Sequence, residues 1–405
     1  MADQGTCIVV GIETQIGLAI IRELGVAGVR VVALTHDPQA IGLFSKHVHH
    51  AEIVAPRSEA LLECLQRLGD RFGVCSLVMV SEANLQWLIQ HVDRLGPNIR
   101  PVVPPAKALE IVLDKGLTLA AAQRLGIAVP RTEEPANPED VESLARNFQF
   151  PAVLKWKDPN GVALRLASLG LPLLKAEYVY SPDEWRQAAA RYSTLGEWPL
   201  VQQYCRGQGL GQFFFVHEGR VIQRFQHLRI AEWPPEGGFS SVCDAVGPEQ
   251  HVQLLAQSEQ LLLSIGWSGV AMVEYRLDRS TNHAVLMEIN GRFWGSYPLA
   301  AQCGAGFALL AHRAAVGLPL SPVPVPRTRW RCRMVLTELK RLHRLLLQPA
   351  RIADRQCEIR KIPEVVRFIA DFFRPGVGYF VWSWRDPSPW FADLRNMLRK
   401  LGGRG

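Results

Sequence analysis

The chain has 405 residues, of which 48% are apolar and 20% charged, so it is long enough for two or three domains, each with its own core. No apolar run approaches the ~20 residues of a membrane-spanning helix. The N-terminal segment MADQGTCIVVGIETQIG has neither a basic leader nor a signal cleavage site, so a cytoplasmic protein is expected. Eight dispersed cysteines without a CxxC pair and eleven histidines without an HExxH motif argue against a disulfide framework and against a zinc enzyme.

Residues 1–105 alternate strand and helix patterns. CIVVG leads through IETQIG into the amphipathic stretch LAIIRELGVAG, and VRVVALT, AEIVAP, a helix near Ser58–Phe72 and SLVMVSE follow. That alternation implies a parallel, doubly wound sheet. The loop from Gly11 to Gly17 lacks a complete GxGxxG. It reads better as a packing turn than as a phosphate cradle, which also weakens a nicotinamide oxidoreductase reading.

After the proline-rich junction RPVVPPAKAL the texture becomes α+β. LDKGLTLAAAQRLGI forms a helix with Lys115 near its start, and FPAVLKWK forms a short strand. Lys155 stands there among apolar residues, an unusual setting for a solvated charge, although Lys157 shares its face. LLKAEYVYS precedes a helix over Pro182–Tyr192 with Ser181 as its N-cap, then comes the strand PLVQQYC. GQFFFVHEGRVIQRFQHLRI reads as a hairpin turning at Glu218-Gly219, followed by the glycine-rich loop PPEGGFSS and a helix over about Glu249–Ile265.

GVAMVEYRLDRSTNHAVLMEINGRFWGS carries the sharpest chemical signal. Two apolar strands flank a turn-forming stretch, and Glu274 and Glu288 lie symmetrically about residue 281, opposite or nearly opposite across a hairpin. Asn290 shares the face of Glu288. Like charges across a ladder destabilise it, so a buried carboxylate pair must protonate or hold a cation. Two carboxylates and an amide oxygen are hard ligands suited to magnesium, with phosphate oxygens completing the shell. Arg292 follows at the strand end, where it can grip phosphate.

LMEINGRFWGS, preceded by GVAMVEY, resembles the metal-binding core of the ATP-grasp superfamily, especially its carboxylate–amine ligases, and the resemblance runs from about Val102 to Leu318. It implies a parallel pre-ATP-grasp sheet over residues 1–105, an ATP-grasp fold over 106–320 and a basic, partly helical extension over 321–405. It also implies ATP with magnesium, or manganese in its place, and metal ligands at Glu274, Glu288 and Asn290. Lys115 and Lys155 match the lysines that contact nucleotide phosphates. Gln202, Gln203, Tyr204 and Cys205 match the hinge that holds adenine, with Gln203 standing where an acidic residue is common. KDPNGVALRLASLG matches a flexible lid, though without a dense glycine run. His227 and Arg229 resemble a substrate- or phosphate-facing strand, and Arg229 and Arg292 are the implied catalytic cations.

The implied activity is activation of a carboxylate as an acyl phosphate and its coupling to an amine. Alternatives are a bicarbonate-activating carboxylase-type enzyme, although no biotin-carrier segment is visible, and a nucleotide-binding module without turnover. The implied partners are a small carboxylate and an amine. A homodimer is compatible with this reading, and no nucleic acid is expected.

The net charge of +7 is unevenly placed: residues 321–405 hold 18 Lys and Arg against 7 Asp and Glu, a surplus of 11, whereas residues 1–320 hold 27 against 31. Basic residues interleaved with HRLLLQ, VVRFIADFF and GYFVWSWRDPSPWF suit either an anionic membrane surface or a helical cap with buried aromatics. The tryptophans lie near prolines rather than on one helical face, which favours the cap over membrane contact.

Overall fold

A computed structural model describes residues 4–174, 176–320 and 325–401. The first sheet contains β1 (Thr6–Val10), β2 (Arg30–Thr35), β3 (Val48–Ile53), β4 (Cys75–Met79) and β5 (Ile99–Pro101), in the order β3-β2-β1-β4-β5 and parallel throughout. All five residues of β1 are buried, as expected of a central strand covered on both faces. Thr14 caps the helix Gln15–Val26 through the amide of Gly17. A Cβ at Gly17 would lie 2.6 Å from the Gly11 carbonyl oxygen, so this turn depends on glycine for close helix-to-strand packing.

The second sheet has four strands, β6 (Thr132–Glu133), β7 (Ala152–Lys155), β8 (Glu177–Val179) and β9 (Leu200–Gln203), ordered β6-β9-β7-β8 and antiparallel. The helix Pro182–Tyr192, capped by Ser181 as its sequence suggested, covers it through the fully buried Trp185. Within the stretch after β7 that resembles a lid, Pro159–Ser168 is an α-helix. Its Val-Ala-Leu-Arg-Leu-Ala run favours helix, and Val162 and Leu166, four residues apart, bury one stripe against Trp156 and Tyr192.

The third sheet holds seven strands: β10 (Gln208–His217), β11 (Arg220–Trp233), β12 (Phe239–Val246), β13 (Gly269–Asp278), β14 (His283–Asn290), β15 (Arg331–Arg333) and β16 (Val377–Tyr379). They are ordered β14-β13-β10-β11-β12-β15-β16. The β10–β11 turn falls at Glu218 and Gly219, both with positive φ, as a tight hairpin requires. The helix expected from about Glu249 starts at Val252.

The basic extension supplies the edge of this sheet, because β15 pairs antiparallel with β12 and β16 parallel with β15. Cys332, Phe380 and Val381 enter the same core as Val9, Phe213 and Trp294. Arg22 of the first helix donates to Asp386 at 2.9 Å, tying the extension to the parallel sheet as well. The extension is therefore built into the fold, as a cap would be, but its aromatics are not all buried. Trp382, Trp384, Trp390 and Phe391 form an edge-to-face cluster from which Trp384 remains 86% exposed.

Candidate functional site

The hairpin β13–β14 brings Glu274 opposite Glu288 and Met272 opposite Asn290. The register shifts by one residue between Glu274 and Tyr275, and this irregularity sets Glu288, rather than Met287, across from Glu274. Burial pushes the Glu274 carboxyl above its ordinary value, Arg229 opposes that shift and Glu288 adds to it. The Glu274 Oε2 accepts from Arg229 Nη2 at 2.5 Å. Asn290 Nδ2 donates to Glu288 Oε1 at 3.3 Å, and its Oδ1 accepts from Arg292 Nη2 at 3.2 Å. Rotating that amide exchanges its nitrogen and oxygen, so Asn290 can also present an oxygen beside Glu288.

Arg229 lies on β11 and is nearly buried. Besides Glu274 it donates from Nη1 to Glu232 Oε1 and to the Gly238 carbonyl, both at 2.9 Å. Arg276, two residues after Glu274 on the same face of β13, donates to the other oxygen of Glu232 at 3.2 Å. Glu232 and Arg276 escaped the sequence reading, although the period of two from Glu274 to Arg276 marks the face they share. Burial alone would raise Glu232, and the two arginines together hold it below its ordinary value. His227 shares the strand with Arg229 but is fully buried against the edge of Phe213, its Nδ1 3.1 Å from Ser296 Oγ. Burial, reinforced by Arg229, keeps its imidazole neutral well below the usual range. The expected pair is thereby divided: Arg229 belongs to the charged cluster and His227 lies beneath it.

Lys155 approaches from the second sheet. At the end of β7, its Nζ donates to Gln202 Oε1 at 2.9 Å, and Gln202 donates in turn to Thr132 Oγ1 at 3.1 Å. Burial lowers the Lys155 pKa, Glu288 counters this, and Lys115 and Arg276 lower it further. Lys155 thus faces the carboxylate pair, with Lys115 near enough to act on it. Lys115 opens the helix Lys115–Arg124, capped by Asp114, and its Nζ reaches the Trp156 carbonyl at 3.5 Å. Lys157 is half-buried and is paired with Glu134 at 3.1 Å, away from the carboxylate pair, whereas Lys155 faces Glu288.

The hinge follows β9. Gln203 is exposed, with its amide bonded to the Arg131 carbonyl and its Oε1 accepting from the Arg131 amide. Cys205 is half-buried, and burial raises its thiol. Tyr204 donates to Asp354 at 2.6 Å, a partner in the basic extension that no sequence pattern announced. Arg292 is held between the sheets: its Nε pairs with Glu82 at 3.0 Å, and its Nη1 donates to the Phe293 carbonyl at 3.1 Å.

Among the described residues no cluster of three or more His, Cys, Asp or Glu side chains is arranged for a metal ion. The donor set at the hairpin is two carboxylates and an amide oxygen, beside cations that attract phosphate. That chemistry fits a hard divalent ion arriving with a polyphosphate and does not fit zinc.

No protein-family model matches the chain. The arginine-specific large chain of carbamoyl phosphate synthase from Cutaneotrichosporon cutaneum is 22% identical over 239 residues, covering 58% of this chain and 19% of the relative. The chain thus spans less than a fifth of the length of that curated relative. Solved structures agree along most of the chain. The biotin carboxylase domain of Hydrogenobacter thermophilus 2-oxoglutarate carboxylase, crystallised with MgADP, ADP and bicarbonate, superposes with a TM-score of 0.62 at 16% identity, covering 80% of this chain and 73% of that one. Biotin carboxylase from Campylobacter jejuni gives 0.61 at 14% identity, covering 80% and 74%. N5-carboxyaminoimidazole synthetase from Staphylococcus aureus gives 0.58 at 14% identity, covering 80% of both chains. These are ATP-grasp proteins, and the chain shares their fold. No described helix is long and apolar enough to cross a membrane.

Proposed function

We propose that this ATP-grasp chain is a ligase that activates a carboxylate with ATP as an acyl phosphate and couples it to an amine, with release of ADP and phosphate. The observation that carries the reading is the cross-strand pair Glu274–Glu288, ringed by Lys155, Arg229 and Arg276. It is a carboxylate pair beside converging cations, suited to a metal-bound polyphosphate.

In this reading Glu274, Glu288 and Asn290 hold magnesium, or manganese in its place. When bound, the metal draws negative charge from the terminal phosphates of ATP. Lys155 approaches the phosphates from the second sheet and Lys115 from the start of its helix, and the Gln202–Cys205 hinge takes the base along its backbone. Gln202 fixes the ammonium of Lys155, so the cation is oriented before nucleotide arrives. The substrate carboxylate attacks the γ-phosphoryl group, and the arginines stabilise the charge that moves onto the phosphate oxygens. The amine then attacks the acyl carbon and phosphate leaves. Arg229 is hydrogen-bonded to the Gly238 carbonyl, so the Pro234–Gly238 loop beside this centre is the proposed wall for the acceptor. The transfer requires no side-chain nucleophile.

The test is a screen for ADP release against carboxylates paired with amines, bicarbonate included. Glu288→Gln should abolish release while circular dichroism stays unchanged. Near-normal release from that variant with magnesium removes the metal assignment. A nucleotide that binds but is never turned over with any pair identifies a binding module.

A further inference from the structure

The helix Lys361–Ala370 in the basic extension turns its apolar face away from the protein. Ile362, Val366 and Ile369, at i, i+4 and i+7, form one stripe that Phe373 continues just beyond the helix. Their exposures are 76%, 59%, 53% and 83%. None of this helix's residues is buried.

Its inward side is held by charge instead. Glu364 accepts both guanidinium nitrogens of Arg341 at 2.6 and 3.0 Å, and Arg367 reaches the Ile230 carbonyl at 3.4 Å. The Phe368 carbonyl accepts from Arg333 at 3.2 Å, and Asp371 pairs with Arg331 at 2.7 Å. An amphipathic surface helix ordinarily buries its apolar stripe against the core. This one is docked by ion pairs, and its apolar stripe faces water. Single exposed apolar residues need no explanation, whereas a contiguous stripe marks an interaction site.

Charge selects the occupant. Lys361 and Arg374 flank the stripe at either end and are exposed. Beside it, the helix Val335–Leu347 presents Leu339, Lys340, His343 and Leu347 outward. The exposed cations Lys340, Lys361 and Arg374 around the stripe give the face the wrong sign for pairing with a second copy, which would set the same cations against each other. A convex apolar ridge between cations has the form of an interfacial helix, whose apolar side enters the headgroup boundary while its basic residues meet anionic lipid.

We propose that the face formed by Ile362, Val366, Ile369 and Phe373 docks the folded protein reversibly on an anionic lipid surface. The sequence alone favoured a cap without membrane contact. The extension is built in as a cap, and it is the direction of this one stripe, invisible in composition, that adds the docking surface.

The experiment is co-sedimentation of the full-length chain with phosphatidylcholine vesicles, with and without phosphatidylglycerol, at two salt concentrations. Partitioning should be at least about tenfold stronger onto the anionic vesicles and should weaken as salt rises. The double variant V366E/F373E should bind those vesicles roughly tenfold more weakly while its circular dichroism and nucleotide affinity match the unaltered chain. Should that variant misfold, K361E/R374E, altered only at exposed cations, provides the same comparison. Equal partitioning onto both vesicle types, or full binding by both variants, overturns the proposal. So does failure of the unaltered chain to bind vesicles together with a self-association or acidic-protein complex that V366E/F373E abolishes.

Discussion

Tyr204 and Asp354, 150 residues apart in sequence, are joined by a hydrogen bond of 2.6 Å from the tyrosine hydroxyl to Oδ2. The other carboxylate oxygen accepts from Tyr180 at 2.9 Å, and burial with this contact pushes the Tyr180 phenol up to about 12. Neighbouring residues extend the clasp: Arg206 donates to Gln356 at 3.1 Å, and the Ala353 amide reaches Glu236 at 3.3 Å. A short strap of the basic extension therefore binds the hinge, the second sheet and the loop after β11 together. Asp354→Ala leaves two hydroxyls without their acceptor, and a loss of about 1–3 kcal/mol of stability is expected, together with weaker nucleotide binding. Thermal denaturation and calorimetric titration check both. Unchanged melting and affinity would mean that the strap merely lies against the hinge.

Lys155 and Lys157 make a paired test because they are two residues apart and differ in environment. Lys155→Ala removes a partly desolvated cation facing Glu288 and should weaken nucleotide binding by roughly 2–4 kcal/mol. Lys157→Ala removes a surface pair and should stay within about 0.5 kcal/mol. Calorimetry on both variants decides, and equal losses would contradict the assignment.

These two lysines also show where the sequence stops informing. Alternation placed both on one face of a strand, but β7 ends at Lys155, so only the second sheet's packing separates them. Hairpin symmetry made the Glu274–Glu288 pairing legible to within one residue, and the irregularity between Glu274 and Tyr275 sets the two directly opposite; the N-caps and the Glu218-Gly219 turn were legible because their causes are local. Glu232, Arg276 and Asp354 were not, since each acquires its role from partners on another strand or in the distant extension. The helix Pro159–Ser168 was not announced by the lid resemblance, and its local signal is the helix-forming run between Val162 and Leu166.

Glu52 on β3 links fold stability to pH. Its carboxylate takes both guanidinium nitrogens of Arg67, at 3.0 and 2.6 Å, with His50 at 2.9 Å. Arg67 is the main reason that its pKa is held at about 2 rather than near its ordinary 4.5. A depressed carboxylate pKa means that the unfolded chain binds the extra proton first, so this stabilisation is present above the unfolded value and is lost as pH falls toward the folded one. Urea denaturation should find Glu52→Gln less stable than the unaltered chain at neutral pH. The difference should shrink below about pH 4.5 and close near pH 2. A difference independent of pH would show that the contact is not ionic.

Arg229 joins the candidate acceptor loop to the carboxylate pair, and its removal should separate a structural role from a chemical one. Arg229→Met preserves much of the side-chain length but leaves Glu232 and Glu274 without the guanidinium between them. Breaking a buried ion pair from one side costs roughly 3–5 kcal/mol, because the remaining charge stays desolvated. Neutralising the opposite partner should relieve that cost, so the double variant Arg229→Met with Glu274→Gln should recover most of the lost stability by urea denaturation. Turnover should not recover with it, since the double variant lacks both the cation and one carboxylate of the proposed metal pair. Glu274→Gln alone keeps Arg229 paired with Glu232 and should fold well while failing to release ADP. Full stability of Arg229→Met would show that water reaches the cluster and screens it. Recovered ADP release in the double variant would instead remove Arg229 and Glu274 from the chemistry and leave them as a clamp between β11 and β13.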